Sequence, residues 1–256
     1  MDTAITGARG MPLRAYLLEA RYEFLRLLRT PSFSLPTLLF PALFYLLFGV
    51  LLGSRHGGDV AARYFLATYG VFGVMGVALF GFGVSVAMDR EQGLLALKRA
   101  LPMPPAAYLL AKTAMAMIFA AAVSGLLSLI ALGLAGVTLS PWQWGALWLI
   151  NVLGVLPFAA IGLWLGCIVG GQGAPAVINL VYLPMAFLSG LWVPLSMLPA
   201  ALSSLAQLWP AYHLAQIALR VVGGDAGQPL VLHLAVLVIV TVVFGLLALR
   251  RLARPV

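Results

Sequence analysis

Asp89-Arg90-Glu91-Gln92-Gly93, followed by Lys98-Arg99-Ala100-Leu101-Pro102-Met103-Pro104-Pro105 and then Lys112, interrupts a chain that is apolar on both sides. The flanking runs, 64–88 and 113–137, each hold the roughly 20 mostly apolar residues that a helix needs to cross a bilayer. The charged stretch therefore reads as a cytoplasmic loop between two membrane spans, at 89–112. A connection alone would need only a turn. This loop has room for a short helix with acids at its start and bases at its end, a distribution that suits the helix dipole. Pro102, Pro104 and Pro105 then end it. An element of this kind is suited to docking against something below the membrane.

Apolar residues make up 63% of the 256 and charged residues 9%, against about 25% charged in an ordinary soluble domain. The expected fold class is all-α integral membrane, one domain over 1–256 with six spans at 32–52, 64–88, 113–137, 144–169, 176–193 and 230–249. The net charge of +8 does not point to nucleic acid, because the basic residues sit at the ends of apolar runs. Five of the fifteen Lys and Arg precede the first span, four lie in the 89–112 loop and three follow the last span. Those twelve share one side, and Arg55, Arg63 and Arg220 fall on the other. By the positive-inside rule both termini are cytoplasmic. The first thirty residues hold no apolar core of signal-peptide type, so the first span is expected to act as the targeting signal. Cys167, the single cysteine, excludes an intrachain disulfide and reads as a small buried hydrophobe.

Residues 194–228 test that topology. The part from 195 to 222 is apolar enough for a seventh span, which would carry Arg250, Arg251 and Arg254 outside. Pro199 and Pro210 break it, with Ser203, Ser204 and Gln207 between them. Two short helices forming a re-entrant hairpin in the outer leaflet fit better, provided their backbone packs against other helices.

Within 11–30, Leu13, Leu17, Ala20, Phe24, Leu27 and Leu28 recur at three- and four-residue steps, while Arg14, Glu19, Arg21, Arg26 and Arg29 project elsewhere. The pattern is that of an amphipathic helix lying in the cytoplasmic interface with its apolar stripe in lipid. Pro31, Pro36 and Pro41 turn the chain upward. Small residues mark the span surfaces: Gly70, Gly73 and Gly76 in the second, Ala116, Ala120, Ser124 and Ser128 in the third, Gly162, Gly166 and Gly170 in the fourth. They permit close backbone approach, within one chain or along a seam between two copies.

The six span cores carry no Asp, Glu, Lys or Arg, and His233 is the ionisable residue nearest to one. It reads as an interfacial histidine bonded to a neighbour or water. Ion-coupled carriers usually need buried ionisable groups or broken-helix ion sites, so the rival reading, a secondary transporter or channel acting alone, is disfavoured. Asn151, Asn179 and Tyr182 are candidate pathway residues or interhelical bonds. No metal-ligand spacing, catalytic set or G-x-x-x-x-G-K-[ST] phosphate loop is present. An energy source outside the chain is implied, delivered through the docking loop.

Four blocks resemble the membrane subunit of type-2 ATP-binding-cassette (ABC) exporters, the permease family that includes antibiotic-resistance and nodulation-factor exporters. They are the amphipathic start through Arg29-Thr30-Pro31 to Phe40-Pro41, the Asp89-to-Gly93 block running to Pro105 and Lys112, the turn from Gly170 to Pro175, and Phe187-Leu188-Ser189-Gly190-Leu191-Trp192-Val193-Pro194-Leu195 continuing to Leu208-Trp209-Pro210. Where that family commonly has Glu-Arg-Glu and then Gly-Thr, this chain has Asp89-Arg90-Glu91 and Gly93-Leu94. Leu94 is assigned no polar contact.

The resemblance implies a homodimer of permeases above two ATPase subunits, with ATP and Mg on the ATPase and no cofactor or catalytic residue in this chain. It implies a coupling helix carrying Asp89, Arg90, Glu91, Gly93, Lys98 and Arg99, and a connecting helix carrying Arg14, Glu19, Glu23, Arg26 and Arg29. It also implies an outer gate around Ser189, Gly190, Trp192, Pro194, Pro199 and Pro210. The expected activity is export of a hydrophobic or amphipathic small molecule across the cytoplasmic (inner) membrane.

Overall fold

The computed structural model describes residues 13–53, 58–95, 97, 105–224 and 227–252, and all regular structure among them is helical. In chain order the helices are α1 (Leu13–Leu28), α2 (Pro31–Leu52), α3 (Gly58–Glu91), α4 (Pro105–Gly133), α5 (Pro141–Ile168, bent at Gly154), α6 (Ala174–Leu188), α7 (Ala200–Leu205), α8 (Pro210–Val221) and α9 (Leu230–Leu252). Short 3₁₀ turns, Leu195–Met197 and Ala206–Leu208, bracket α7.

Five helices, α2, α3, α4, α5 and α9, are long and apolar enough to cross a membrane. The fifth expected span, 176–193, is the apolar helix α6 of 15 residues, short of the roughly 20 a full crossing takes. It stops because Gly190 adopts φ +76°, letting Leu191 N–H turn back onto the Ala186 carbonyl at 3.1 Å. The charged ends of α3 and α4 are also more helical than their apolar runs indicate. The second span, expected over 64–88, runs to Glu91, and the third, expected from 113, begins at Pro105. Asp89 and Lys112 therefore belong to long helices and not to the loop between them.

α3 is the axis of the bundle. Some 83% of its apolar window is buried, against 22% for α2 and 11% for α9, and α2, α4, α5, α6 and α8 pack around it. Its glycines make that possible. A Cβ at Gly73 would lie 2.6 Å from Val123 on α4, and one at Gly76 would lie 3.0 Å from the Tyr182 hydroxyl on α6. Leu79–Val84 winds as a π-helix against α5 and α6. There a Cβ at Gly166 would stand 2.7 Å from the Gly83 carbonyl, and one at Gly162 would stand 3.1 Å from that of Leu79. These small-residue stripes thus serve contacts within the chain; Gly170 meets nothing within 4 Å.

Two details of the amphipathic start and the loop depart from the sequence expectation. The apolar stripe of α1 does not all face outward: Phe24 meets the ring of Phe119 on α4 at a tilt, with centroids 5.2 Å apart, and Leu27 is buried. The cause is Glu23, which sits on the same side and pairs with a lysine of α4, leaving Leu17, Tyr22 and Leu28 exposed. The Asp89-Arg90-Glu91 block ends α3 instead of opening a new helix. Gln92 N–H caps the Met88 carbonyl at 2.9 Å, Gly93 takes φ +72°, and helix resumes at Leu94. Lys98 and Arg99, expected in the coupling helix, lie outside the described residues.

Candidate functional site

The end of α3 and the start of α4 are joined to α1 by buried charge. Asp89 accepts from Arg26 Nη2 at 2.9 Å and from the Tyr108 hydroxyl at 2.7 Å. Lys112 Nζ lies 3.2 Å from the second Asp89 oxygen, donates to Ser85 Oγ at 2.8 Å, and is paired with Glu23. Arg26 approaches Glu23 at 3.8 Å, and Lys112 also sits 4.9 Å from the centre of the Tyr108 ring. Lys112 is 0% exposed, Asp89 1% and Glu23 5%. Two acids and two bases balance, so the cluster is neutral as a unit while each member depends on the others.

The electrostatics follow from that geometry. Burial acts against the Arg26 charge, but the hydrogen bond and attraction of Asp89, with Glu23 adding to them, hold its guanidinium above its ordinary value. Asp89 stands at a helix C-terminus, where an acid is unfavourable beside the free carbonyls. Three donors from α1 and α4 compensate it.

Arg90 faces the other way. Its guanidinium donates to the carbonyls of Cys167 and, at 3.1 Å, Val169, with Gly166 at 3.3 Å. Those are carbonyls of the last turn of α5, which a cation caps favourably. Glu91 is exposed and lies over Gly171, where a Cβ would collide with its carboxylate. Of the remaining coupling residues, Gly93 supplies the left-handed turn. Of the connecting-helix residues, Glu23 and Arg26 enter the cluster, Glu19 is half-buried and Arg29 is exposed, while Arg14 lies on α1.

At the opposite end of the bundle the 189–194 turn is seated among aromatic rings. Trp192 stacks on Phe44 at 5.9 Å and meets Phe72 edge-on at 5.8 Å. Tyr64 donates to the Gly190 carbonyl at 2.7 Å, and Ser189 is buried. Pro194 and Pro199 precede the 3₁₀ turn and α7, and Pro210 opens α8. The three pathway candidates are not brought together. Asn151 Nδ2 donates to Ser124 at 2.9 Å and Tyr182 to the Phe72 carbonyl at 3.2 Å, whereas Asn179 is exposed on α6.

Sequence reasoning did not single out Ser85, Tyr108 or His213. The first two were signalled by spacing: Ser85 and Asp89, like Tyr108 and Lys112, are four apart and so share a helix face. Among the described residues no group of three or more His, Cys, Asp or Glu is placed to hold a metal ion.

A bundle of helices long and apolar enough to cross a membrane defines a multi-pass membrane protein. The chain belongs to the ABC-2 type transporter family, whose model matches residues 15–222. It is also 30% identical over 234 residues, 88% of this chain and 92% of the relative, to the "Putative transport permease YvfS" of Bacillus subtilis (strain 168).

Proposed function

We propose that this chain is the membrane subunit of an ATP-driven exporter that moves a hydrophobic or amphipathic small molecule (a drug, antibiotic or lipid-like metabolite) across the cytoplasmic membrane. Two copies would form the membrane unit, each with six crossings (α6 the fifth), both termini inside, and 194–228 re-entrant from outside. Two separate ATPase subunits would bind ATP and Mg. This chain's part is to receive a displacement and pass it on.

One observation carries the reading: the two helices flanking the exposed Glu91 turn are tied to α1 by the Glu23–Arg26–Asp89–Lys112 cluster and to α5 by Arg90. A push delivered at 89–104 would move α1, α3, α4 and the end of α5 together. α3 would carry it some tens of ångströms, at 1.5 Å per residue, to the aromatic seat of the 189–194 turn. Packed interiors pass on strain because they resist compression. The exposed Glu91, and not the buried Asp89, is the acid available to a basic group on the ATPase.

Reconstitution with and without the ATPase, using wild type and Glu91→Arg, tests this. Nucleotide-dependent efflux that Glu91→Arg abolishes at normal assembly and thermal stability is the expected result. Efflux by the chain alone, driven by a proton or sodium gradient, would instead establish the ion-coupled alternative.

A further inference from the structure

His213 on α8 and His233 on α9 face one another across the end of the bundle away from the ion-pair cluster, with Nδ1 atoms 2.8 Å apart. Both are buried, 2% and 0% exposed. His213 Nε2 lies 2.9 Å from the Gln207 carbonyl, which can only accept, so that nitrogen carries a hydrogen. One hydrogen alone can lie between the two Nδ1 atoms. With both rings neutral, His233 Nδ1–H donates to His213, and His233 Nε2 is a bare lone pair, buried and without a partner.

We propose that this pair is a proton-sensitive latch joining the 206–221 segment to α9, closed when both imidazoles are neutral and released when acid protonates them. Doubly protonated rings would set N–H against N–H, and the bond would be lost. Among the described residues no unpaired anion faces the two rings to soften that change. On α8, Tyr212 packs against both rings and Arg220 adds positive charge. On α3, Asp59 and Arg63 pair with each other and Tyr64 is bonded to Gly190. α5 and the Ala206–Leu208 turn contain no charged residue or histidine, and the other charges of α9, Arg250 and Arg251, sit at its far end.

Burial pushes the His213 imidazole below its ordinary value, against the opposing pull of the Gln207 carbonyl. A depressed folded-state value means that the folded chain binds fewer protons. The latch is then fully closed above the ordinary histidine range near 6.5; a first proton, on His233 Nε2, leaves the Nδ1–H···Nδ1 bond in place, and the second, as pH falls further, breaks it. Gln207 belongs to the turn between α7 and α8, so one bond chain couples turn, α8 and the largely exposed α9. Release would free the outer segment from α9, making its position respond to acidity on that face.

The experiment uses the full chain in nanodiscs with Cys167→Ser and spin labels at Leu208→Cys and Val231→Cys, both exposed positions. Expected is a single narrow distance at about pH 8 that becomes longer and broader by about pH 5, a change absent from His213→Leu/His233→Leu. Unchanged wild-type distances, or the same change in the histidine-free pair, overturn the latch. If that double variant does not fold, ¹⁵N-histidine spectra of the wild type decide instead. Coupling across the Nδ1–Nδ1 bond that vanishes on acidification supports the proposal, and two independent titrations near about 6.5 overturn it.

Discussion

The Tyr108 hydroxyl donates to Asp89 Oδ2 at 2.7 Å, joining the start of α4 to the end of α3 across nineteen positions of chain. Lys112, one turn further along α4, reaches the same carboxylate at 3.2 Å and continues to Glu23 on α1. The end of α3 and the start of α4 thus share one charge network, which fixes them to each other and to α1 by electrostatics as well as by helix packing.

Removing the lysine should expose that dependence. Lys112→Met leaves Glu23 and Asp89 buried with two charges against the single Arg26. Breaking a buried pair in this way costs ~3–5 kcal/mol, and a clear drop in thermal stability of the purified permease in lipid is expected. Adding Glu23→Gln removes the acid left behind while Asp89 keeps Arg26 and Tyr108, so the double variant should recover most of the loss. Equal instability of the single and double variants would mean that Lys112 acts through packing alone.

Arg90 tests the second tie. Arg90→Ala leaves the last carbonyls of α5 without their cation, at a cost of up to ~2 kcal/mol for a partly buried helix terminus. The effect should be local: faster hydrogen exchange across 169–174 with little change at 155–165. Arg90→Lys keeps the charge but not the fork of donors that spans three carbonyls, so it should restore protection only in part.

Much of this fold is legible in the chain. Apolar runs and proline positions locate the helices because a bilayer leaves little freedom in length and composition. The breaks at Pro199 and Pro210 follow from backbone chemistry alone, whereas the stop at Gly190 cuts short a span expected to run to 193. Span ends are less legible, since Asp89 and Lys112 look like loop residues by hydropathy and become helical and buried through partners far away in sequence. The inward turn of α1 has the same origin: periodicity finds the stripe of Phe24 and Leu27, but only the pairing of Glu23 with Lys112 decides which way it points. His213 escaped because its partner lies twenty residues on, across a connection.

The Gly162, Gly166 and Gly170 stripe, which runs past the end of α5, separates structural from incidental small residues. Gly166→Val would drive a branched side chain into the Gly83 carbonyl, where a Cβ alone stands at 2.7 Å. Overpacking of this kind costs ~1–3 kcal/mol and would push α5 off the π-helical part of α3. Gly170→Ala, with nothing within 4 Å, should leave the melting temperature unchanged. Comparing the two in one lipid preparation checks the assignment, and equal tolerance of both would show that α3 and α5 do not meet as closely as their backbones indicate.

The seat of the 189–194 turn gives the last prediction. Tyr64→Phe removes one hydrogen bond to the Gly190 carbonyl, worth about 1 kcal/mol, while Trp192→Ala empties a site between Phe44 and Phe72 and should cost ~3–5 kcal/mol. If the turn moves during transport, both changes weaken the closed arrangement in proportion to those costs. A cysteine placed at Leu195, next to the turn, should then react faster with a membrane-impermeant thiol reagent, slightly in Tyr64→Phe and strongly in Trp192→Ala, on a Cys167→Ser background. Slower nucleotide-independent labelling than wild type in either variant would show that the aromatic seat holds the turn open instead of shut.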